Sequence, residues 1–188
     1  MSDIREAKKA LRKKIREINR TLSGEYKEKA SEVICRRVLE LPEYQAADTV
    51  FCFVGMDPEP DTRRIIEAAL AAGKRVCVPL CIDDHNMVAK EIRDYDADLA
   101  EGWYGILEPR KDLPEVSREE IGFGVIPCVT CDHAGNRLGH GKGYYDIYLE
   151  KETFPKAMIC FEKVTVEEGE VPIGRYDLPI ETVITDAE

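Results

Sequence analysis

Apolar positions in the first part of the chain follow a helical period. Ile4, Ala7, Leu11, Ile15, Ile18 and Leu22 lie three or four apart, which puts them on one face and predicts a helix over residues 3–22. Cations fill the other faces, and Lys8, Arg12 and Arg16, each four apart, form one stripe. Ser23 is placed to cap a second helix over residues 25–39, whose apolar face is Tyr26, Ala30, Val33, Ile34 and Val38. The pattern then breaks into short apolar runs at 49–55, 74–80, 87–92, 123–129, 156–161 and 182–185, which read as buried strands. Helical spacing returns at 63–72, with Asp61 or Thr62 as cap and Gly73 as stop, and again at 144–152. Ser117-Arg-Glu-Glu120 is a capping box for a short turn. Residues 94–101 and 162–177 carry no clear period and read as irregular acidic connections. Trp103 sits in a loop at 102–109 that would either line a flat pocket or anchor a lid, the lid being the commoner use. Strands alternating with helices imply βαβ units and a largely parallel sheet with helices on both faces.

One stretch departs from this regular alternation. Between the run at 123–129 and the helix at 144–152 stands Gly135-Asn-Arg-Leu-Gly-His-Gly-Lys-Gly-Tyr-Tyr-Asp146. Gly139, Gly141 and Gly143 occupy alternate positions, interleaved with Lys142 and preceded by Arg137. Glycines let the backbone come close to a ligand. The free N–H groups and dipole of a following helix favour an anion. Strand, glycine loop and helix start therefore predict a phosphate cradle. It is not a standard P-loop, because Asn136 stands where that pattern needs glycine and Lys142 is followed by Gly143. The glycine spacing also excludes the dinucleotide-binding fingerprint. Glu59, in the loop at 56–62, sits at the end of the first buried strand, a position equally suited to a ligand contact or a solvated acid.

Composition narrows the partners. The chain has 188 residues, 44% apolar and 34% charged, with a net charge of −10. That predicts one domain over 1–188, argues against general nucleic-acid binding, and requires local positive patches to draw in a polyanionic ligand. No apolar run is long enough to span a bilayer, and the charged start is unlike a signal peptide, so a cytoplasmic location is expected; the expected partners are small molecules, and the expected state a monomer, which the sequence itself does not fix. Seven cysteines, an odd number, argue against a disulfide framework. Cys128-Val-Thr-Cys131 has metal-like spacing, with Cys77, Cys81 and His133 as conceivable partners. A second C-x-x-C is missing, and the cysteines read more simply as small buried hydrophobes.

The residues from Gly135 to Asp146 resemble the signature of the 5-formyltetrahydrofolate cyclo-ligase family, also called methenyltetrahydrofolate synthetases. Lys8-Lys-Ala-Leu-Arg12, Glu59-Pro-Asp-Thr62, Gly105-Ile-Leu-Glu-Pro109 and Thr182-Val-Ile-Thr-Asp186 resemble further family segments in the same order. The resemblance implies a Rossmann-like, three-layer α/β/α domain with a mostly parallel, mixed sheet, akin to that of sugar-phosphate isomerases and acyl-CoA transferases. It implies ATP- and Mg²⁺-dependent conversion of 5-formyltetrahydrofolate to 5,10-methenyltetrahydrofolate, with the formyl oxygen phosphorylated and then displaced by N10.

By position, the resemblance gives the ATP phosphates Lys8, Arg12, Arg137, Leu138, Gly139, His140, Gly141, Lys142, Gly143, Tyr144 and Tyr145. Val54, Glu59 and the segment His140, Gly141, Lys142, Gly143, Tyr144 would line the folate site. Asp146 and Asp177 would hold Mg²⁺. Lys142, Arg137 and Tyr144 are the residues expected to serve the chemistry. Tyr176 stands where many members carry His. The alternatives are a sugar-phosphate isomerase or acyl-CoA transferase on a similar fold, which would need no ATP, or a non-catalytic RNA-associated relative using the basic first helix. Cations beyond those the loop needs favour a triphosphate over the first; the net charge disfavours the second.

Overall fold

The computed structural model describes residues 2–102 and 105–187. Two long helices open the chain, α1 (Ser2–Thr21) and α2 (Gly24–Glu40), within a residue or two of the predicted bounds. The Ser23 hydroxyl caps α2 by accepting a hydrogen bond from the Tyr26 N–H at 3.1 Å. A short α3 (Pro42–Ala46) follows that the periodicity does not predict. Five residues are too few to display a period, and Pro42 in the first turn is its one sequence signal.

The strands form where the apolar runs stand, four of the six runs trimmed at the C-terminal end. β1 (Thr49–Cys52) leads to α4 (Arg63–Ala71), then β2 (Arg75–Cys81) and β3 (Met87–Ile92) make a hairpin. At the start of α4 the two candidate caps divide the work. Asp61 accepts from the Arg63 N–H at 2.8 Å. The Thr62 hydroxyl instead locks the end of β1, accepting from the Gly55 N–H and donating to the Phe53 carbonyl, both at 2.7 Å.

The stretch expected to be irregular, 94–101, is ordered into α5 (Tyr95–Asp98) and β4 (Leu99–Glu101), which pairs with β5 (Leu107–Pro109). Asp94 caps α5 by accepting from the N–H groups of Asp96 and Ala97. One turn of helix carries no readable period, so this correction lies beyond pattern reading. Trp103 lies outside the described residues. The remaining elements are β6 (Glu115–Val116), β7 (Phe123–Ile126), β8 (Thr130–Cys131), β9 (Arg137–Leu138), α6 (Tyr144–Leu149), β10 (Lys156–Ile159) and β11 (Thr182–Ile184). The capping box closes as expected, the Ser117 N–H donating to Glu120 Oε2 at 2.9 Å.

Among the described residues, seven strands make one mixed sheet in the order β11-β10-β7-β1-β2-β3-β6. β11, β10, β7, β1 and β2 run parallel, while β3 and β6 are added antiparallel at one edge. β1, β7 and the last three residues of β10 are fully buried, which is why they read as continuous apolar runs rather than alternating ones. Phe51, Phe123, Ile126 and Met158 lie on these strands with almost no exposure. From β1 the chain first builds outward through β2 and β3, and later returns to build the other side from β7. The strand order therefore reverses between β1 and β7, and open sheets bind ligands outside the carboxyl ends of their strands at such a point.

Candidate functional site

The chain that leaves β7 passes through the small β8–β9 ladder and delivers the glycine loop to the reversal point. The loop that leaves β1 carries Glu59 to the same place. The two loops meet where Glu59 Oε1 and His140 Nε2 lie 2.8 Å apart. Beside this contact opens a cleft of about 760 Å³, within the range of small-molecule sites. Its walls are the loop from Gly139 to Asp146, one side of α1 and the turn from Gly174 to Asp177.

Local backbone chemistry builds the loop. Gly141 has φ +108° and Gly143, at the N-cap of α6, has φ +76°, a region that a side chain at either position would disfavour. A methyl group at Gly141 would make only ordinary contact with the Arg12 guanidinium, its carbon at 3.4 Å, so the backbone angle rather than crowding favours glycine there.

Cations of the N-terminal helix reach the loop as its stripe predicts, though not all of them. Arg12 Nε donates to the Gly139 carbonyl at 2.8 Å, and its partial burial lowers the guanidinium pKa from its ordinary value. Lys8, one turn earlier, sits on both oxygens of Asp177, at 2.6 and 2.5 Å. Arg5 also lines the cleft, whereas Arg16 continues the stripe out into solvent.

Arg137 is nearly buried. It donates to Asp146 Oδ1 at 2.6 Å and to the Pro127 carbonyl at 3.3 Å, while its buried Nε has no partner among the described residues. Lys142 is 64% exposed, and its one polar contact among the described residues is Asp84 Oδ1 at 3.5 Å, which leaves it able to swing onto a ligand. The Tyr144 hydroxyl donates to the Asp83 carbonyl at 2.8 Å, which pins its ring on the wall of the cleft. Tyr145 packs edge-on to Phe51, and burial pushes its phenol well above the ordinary range.

The two carboxylates expected to hold a metal both line the cleft, but they are engaged differently. Asp177 has both oxygens taken by Lys8, and Oδ2 also accepts from the Gly174 N–H. Asp146 spends Oδ1 on Arg137 and a long contact from the Leu178 N–H, while Oδ2 makes no hydrogen bond among the described residues. Mg²⁺ needs one or two carboxylates beside waters and phosphate oxygens. Asp146 offers a free oxygen for that set; Asp177 would have to release Lys8 first.

Three predicted residues stand apart. Leu138 is 1% exposed and belongs to the core, so its side chain does not face the cleft. Val54 packs against the core, and Glu59 reaches the loop only through His140. Sequence reasoning missed Ile4, Arg5, Pro127 and Arg175 as lining residues. The signal for Arg5 was present, since it belongs to the basic helix. Tyr176, in sequence only a departure from the family pattern, is 78% exposed at the cleft with Arg175 5.5 Å over its ring.

Comparison with known proteins bears on the family and the fold. Residues 4–186 match the model of the 5-formyltetrahydrofolate cyclo-ligase family. A probable 5-formyltetrahydrofolate cyclo-ligase of Schizosaccharomyces pombe is 31% identical over 81% of both chains. The 5-formyltetrahydrofolate cyclo-ligase of Escherichia coli K12 is 27% identical over 93% of this chain and 97% of its own. Among solved structures, the 5,10-methenyltetrahydrofolate synthetase of Aquifex aeolicus superposes with a TM-score of 0.83 at 27% identity, covering 96% of this chain and 90% of that one.

Proposed function

This chain belongs to the 5-formyltetrahydrofolate cyclo-ligase family, and from that premise we propose that it converts 5-formyltetrahydrofolate to 5,10-methenyltetrahydrofolate while ATP is split to ADP and phosphate. The observation that carries the reading is the convergence of Arg12, Arg137, Lys142 and the glycine loop on one cleft at the strand reversal.

The chemistry asks for charge and position rather than for a protein nucleophile. A formyl oxygen is a poor leaving group, and bound ATP supplies the phosphoryl group that makes it a good one. Mg²⁺, when bound, would add positive charge between Asp146 and the phosphates. The chain's own part is to hold charge where it develops. Arg12, fixed on the Gly139 carbonyl, presents its guanidinium across Gly141 to the triphosphate. Arg137, held by Asp146 and Pro127, supplies a charge that is already oriented and desolvated. Lys142 is the mobile cation that follows the group in transfer. Tyr144, pinned through Asp83, offers a flat wall for the pterin, and the pair His140 and Glu59 closes that side of the cleft. The same reading takes residues 1–188 as one cyclo-ligase domain working as a cytoplasmic monomer on small molecules. Among the described residues no helix is long and apolar enough to cross a membrane.

The test mixes purified protein with Mg²⁺-ATP and 5-formyltetrahydrofolate and follows methenyl product by its near-ultraviolet absorbance. Product that accumulates only with ATP is expected. Absence of an ATP-dependent signal overturns the reading.

A further inference from the structure

Three cysteines left over from the catalytic reading converge in the interior. Cys128, Cys131 and Cys160 bring their sulfurs within 4.8 Å of one another, and the three residues are 5%, 0% and 2% exposed. The sheet explains the meeting. β7 and β10 are parallel neighbours with Ile126 opposite Met158. Each strand runs on by two residues to a cysteine, so Cys128 and Cys160 arrive side by side. The turn after Cys128 then folds Cys131 back over them through the β8–β9 ladder.

Backbone hydrogen bonds fix Cys131 and Cys160, and a thiol contact orients Cys128. The Cys160 N–H donates to the Ile184 carbonyl at 3.1 Å. The Cys131 carbonyl accepts from the Val166 N–H at 3.0 Å, and the neighbouring Thr130 hydroxyl donates to the Val164 carbonyl at 2.5 Å. The Cys128 thiol points at the Ile159 carbonyl at 3.5 Å. Packing alone does not require thiols to gather: Cys35, Cys52 and Cys77 are equally buried and form no such group. The partners that the sequence suggested for Cys128 and Cys131 are not the ones the fold brings. Cys77 and Cys81 lie outside the group, and the His133 ring turns outward to Glu162 at 3.2 Å. Cys160 takes the third place.

We propose that Cys128, Cys131 and Cys160 form a buried, three-coordinate site for a soft monovalent metal ion of the copper(I) class. Thiolates select soft ions such as Cu(I) and zinc. Structural zinc takes four ligands, and among the described residues no fourth His, Cys, Asp or Glu joins the group. Three sulfurs around one ion at metal–sulfur distances of about 2.3 Å stand about 4.0 Å apart. The observed spread, within 4.8 Å, needs a contraction of less than about 1 Å to match. Each ligating thiol gives its proton to solvent, so one ion entering three thiols releases three protons and no electron changes hands. The site adjoins the catalytic cradle. Cys131 lies opposite Arg137 in the β8–β9 ladder, and Pro127, next to Cys128, lines the cleft.

The test uses the reduced full chain without oxygen, titrated with Cu(I) held by bicinchoninate, whose coloured complex bleaches as copper leaves it. Transfer of one ion per chain is expected, with a new near-ultraviolet thiolate-to-copper band. Cys131→Ser and Cys160→Ser should each lose the bound equivalent and the band, whereas Cys77→Ser should keep both. A wild type that takes no copper from bicinchoninate, or a Cys131→Ser variant that takes as much as wild type, overturns the site. Copper X-ray absorption on the wild type keeps the test decisive if a serine variant fails to fold. Three sulfur neighbours support the site; nitrogen or oxygen neighbours, or two sulfurs, overturn it. Zinc(II) binding more tightly than Cu(I) overturns the monovalent assignment.

Discussion

Lys8 holds both carboxylate oxygens of Asp177 across 169 residues of sequence, tying the N-terminal helix to the C-terminal turn over one cleft. The pair is partly buried, with side chains 19% and 18% exposed. In the proposed function, Asp177 would orient a cation that meets phosphate, while Asp146, whose Oδ2 makes no hydrogen bond among the described residues, would keep one oxygen for a metal. Asp177→Asn should therefore raise the KM for ATP by about tenfold and leave the Mg²⁺ requirement alone. Asp146→Asn should raise the Mg²⁺ concentration needed for half-maximal rate. Steady-state rates over a matrix of ATP and Mg²⁺ concentrations check both. Equal shifts of the Mg²⁺ requirement in the two variants would put Asp177 among the metal ligands and end the distinction.

Among the described residues, Lys142 is the cation of the loop that the fold does not tie down, since its contact is with an Asp84 that is 85% exposed. Losing a contact made only in the transition state lowers kcat rather than binding. Lys142→Ala is expected to reduce kcat by roughly 10²-fold while the melting temperature stays within error. Wild-type turnover would remove Lys142 from the chemistry.

Most of this arrangement could be read from residue patterns, and the parts that could not share a physical cause. The parallel strands announced themselves because both faces are buried, and α1, α2 and α4 because one face is. The glycine loop was legible because alternate glycines between a strand and a helix have few other uses. By contrast, α3 and α5 are single turns fixed by Pro42 and Asp94, too short for any period. Tyr176 reaches the cleft through tertiary folding of an irregular turn, which no local pattern reports. The cysteine cluster was half visible as Cys128-Val-Thr-Cys131. Its third member depends on β10 lying beside β7, a pairing that spacing along the chain does not encode.

Alkaline stability should report the buried phenols. Burial pushes Tyr44 and Tyr95 each up to about 12 in the folded chain, against about 10 when unfolded. Below pH 10 both states are protonated and these groups contribute no pH dependence. Between 10 and 12 the unfolded chain has released protons that the folded chain still holds, so stability falls as pH rises, by at most about 1.4 kcal/mol per pH unit for each phenol. Urea melts across this range should show the decline, and Tyr44→Phe should make it shallower. An unchanged slope in Tyr44→Phe would show that the phenol titrates as freely folded as unfolded.

Tyr148 supplies the complementary case, in which a hydroxyl is a liability. Its ring stacks on Phe51 with centroids 5.3 Å apart, and the Arg118 guanidinium lies 4.3 Å from the ring centre. Its buried hydroxyl has no partner among the described residues. Tyr148→Phe keeps the stack and the cation over the ring while removing a desolvated polar group, and such unpaired groups cost about 1–3 kcal/mol. The variant is expected to be more stable by about 1 kcal/mol, the lower end of that range, because local adjustment recovers part of the cost in wild type. Denaturant midpoints at constant slope measure the change. A variant destabilised by the same amount would mean that the hydroxyl holds an ordered water, which the aromatic ring alone cannot replace.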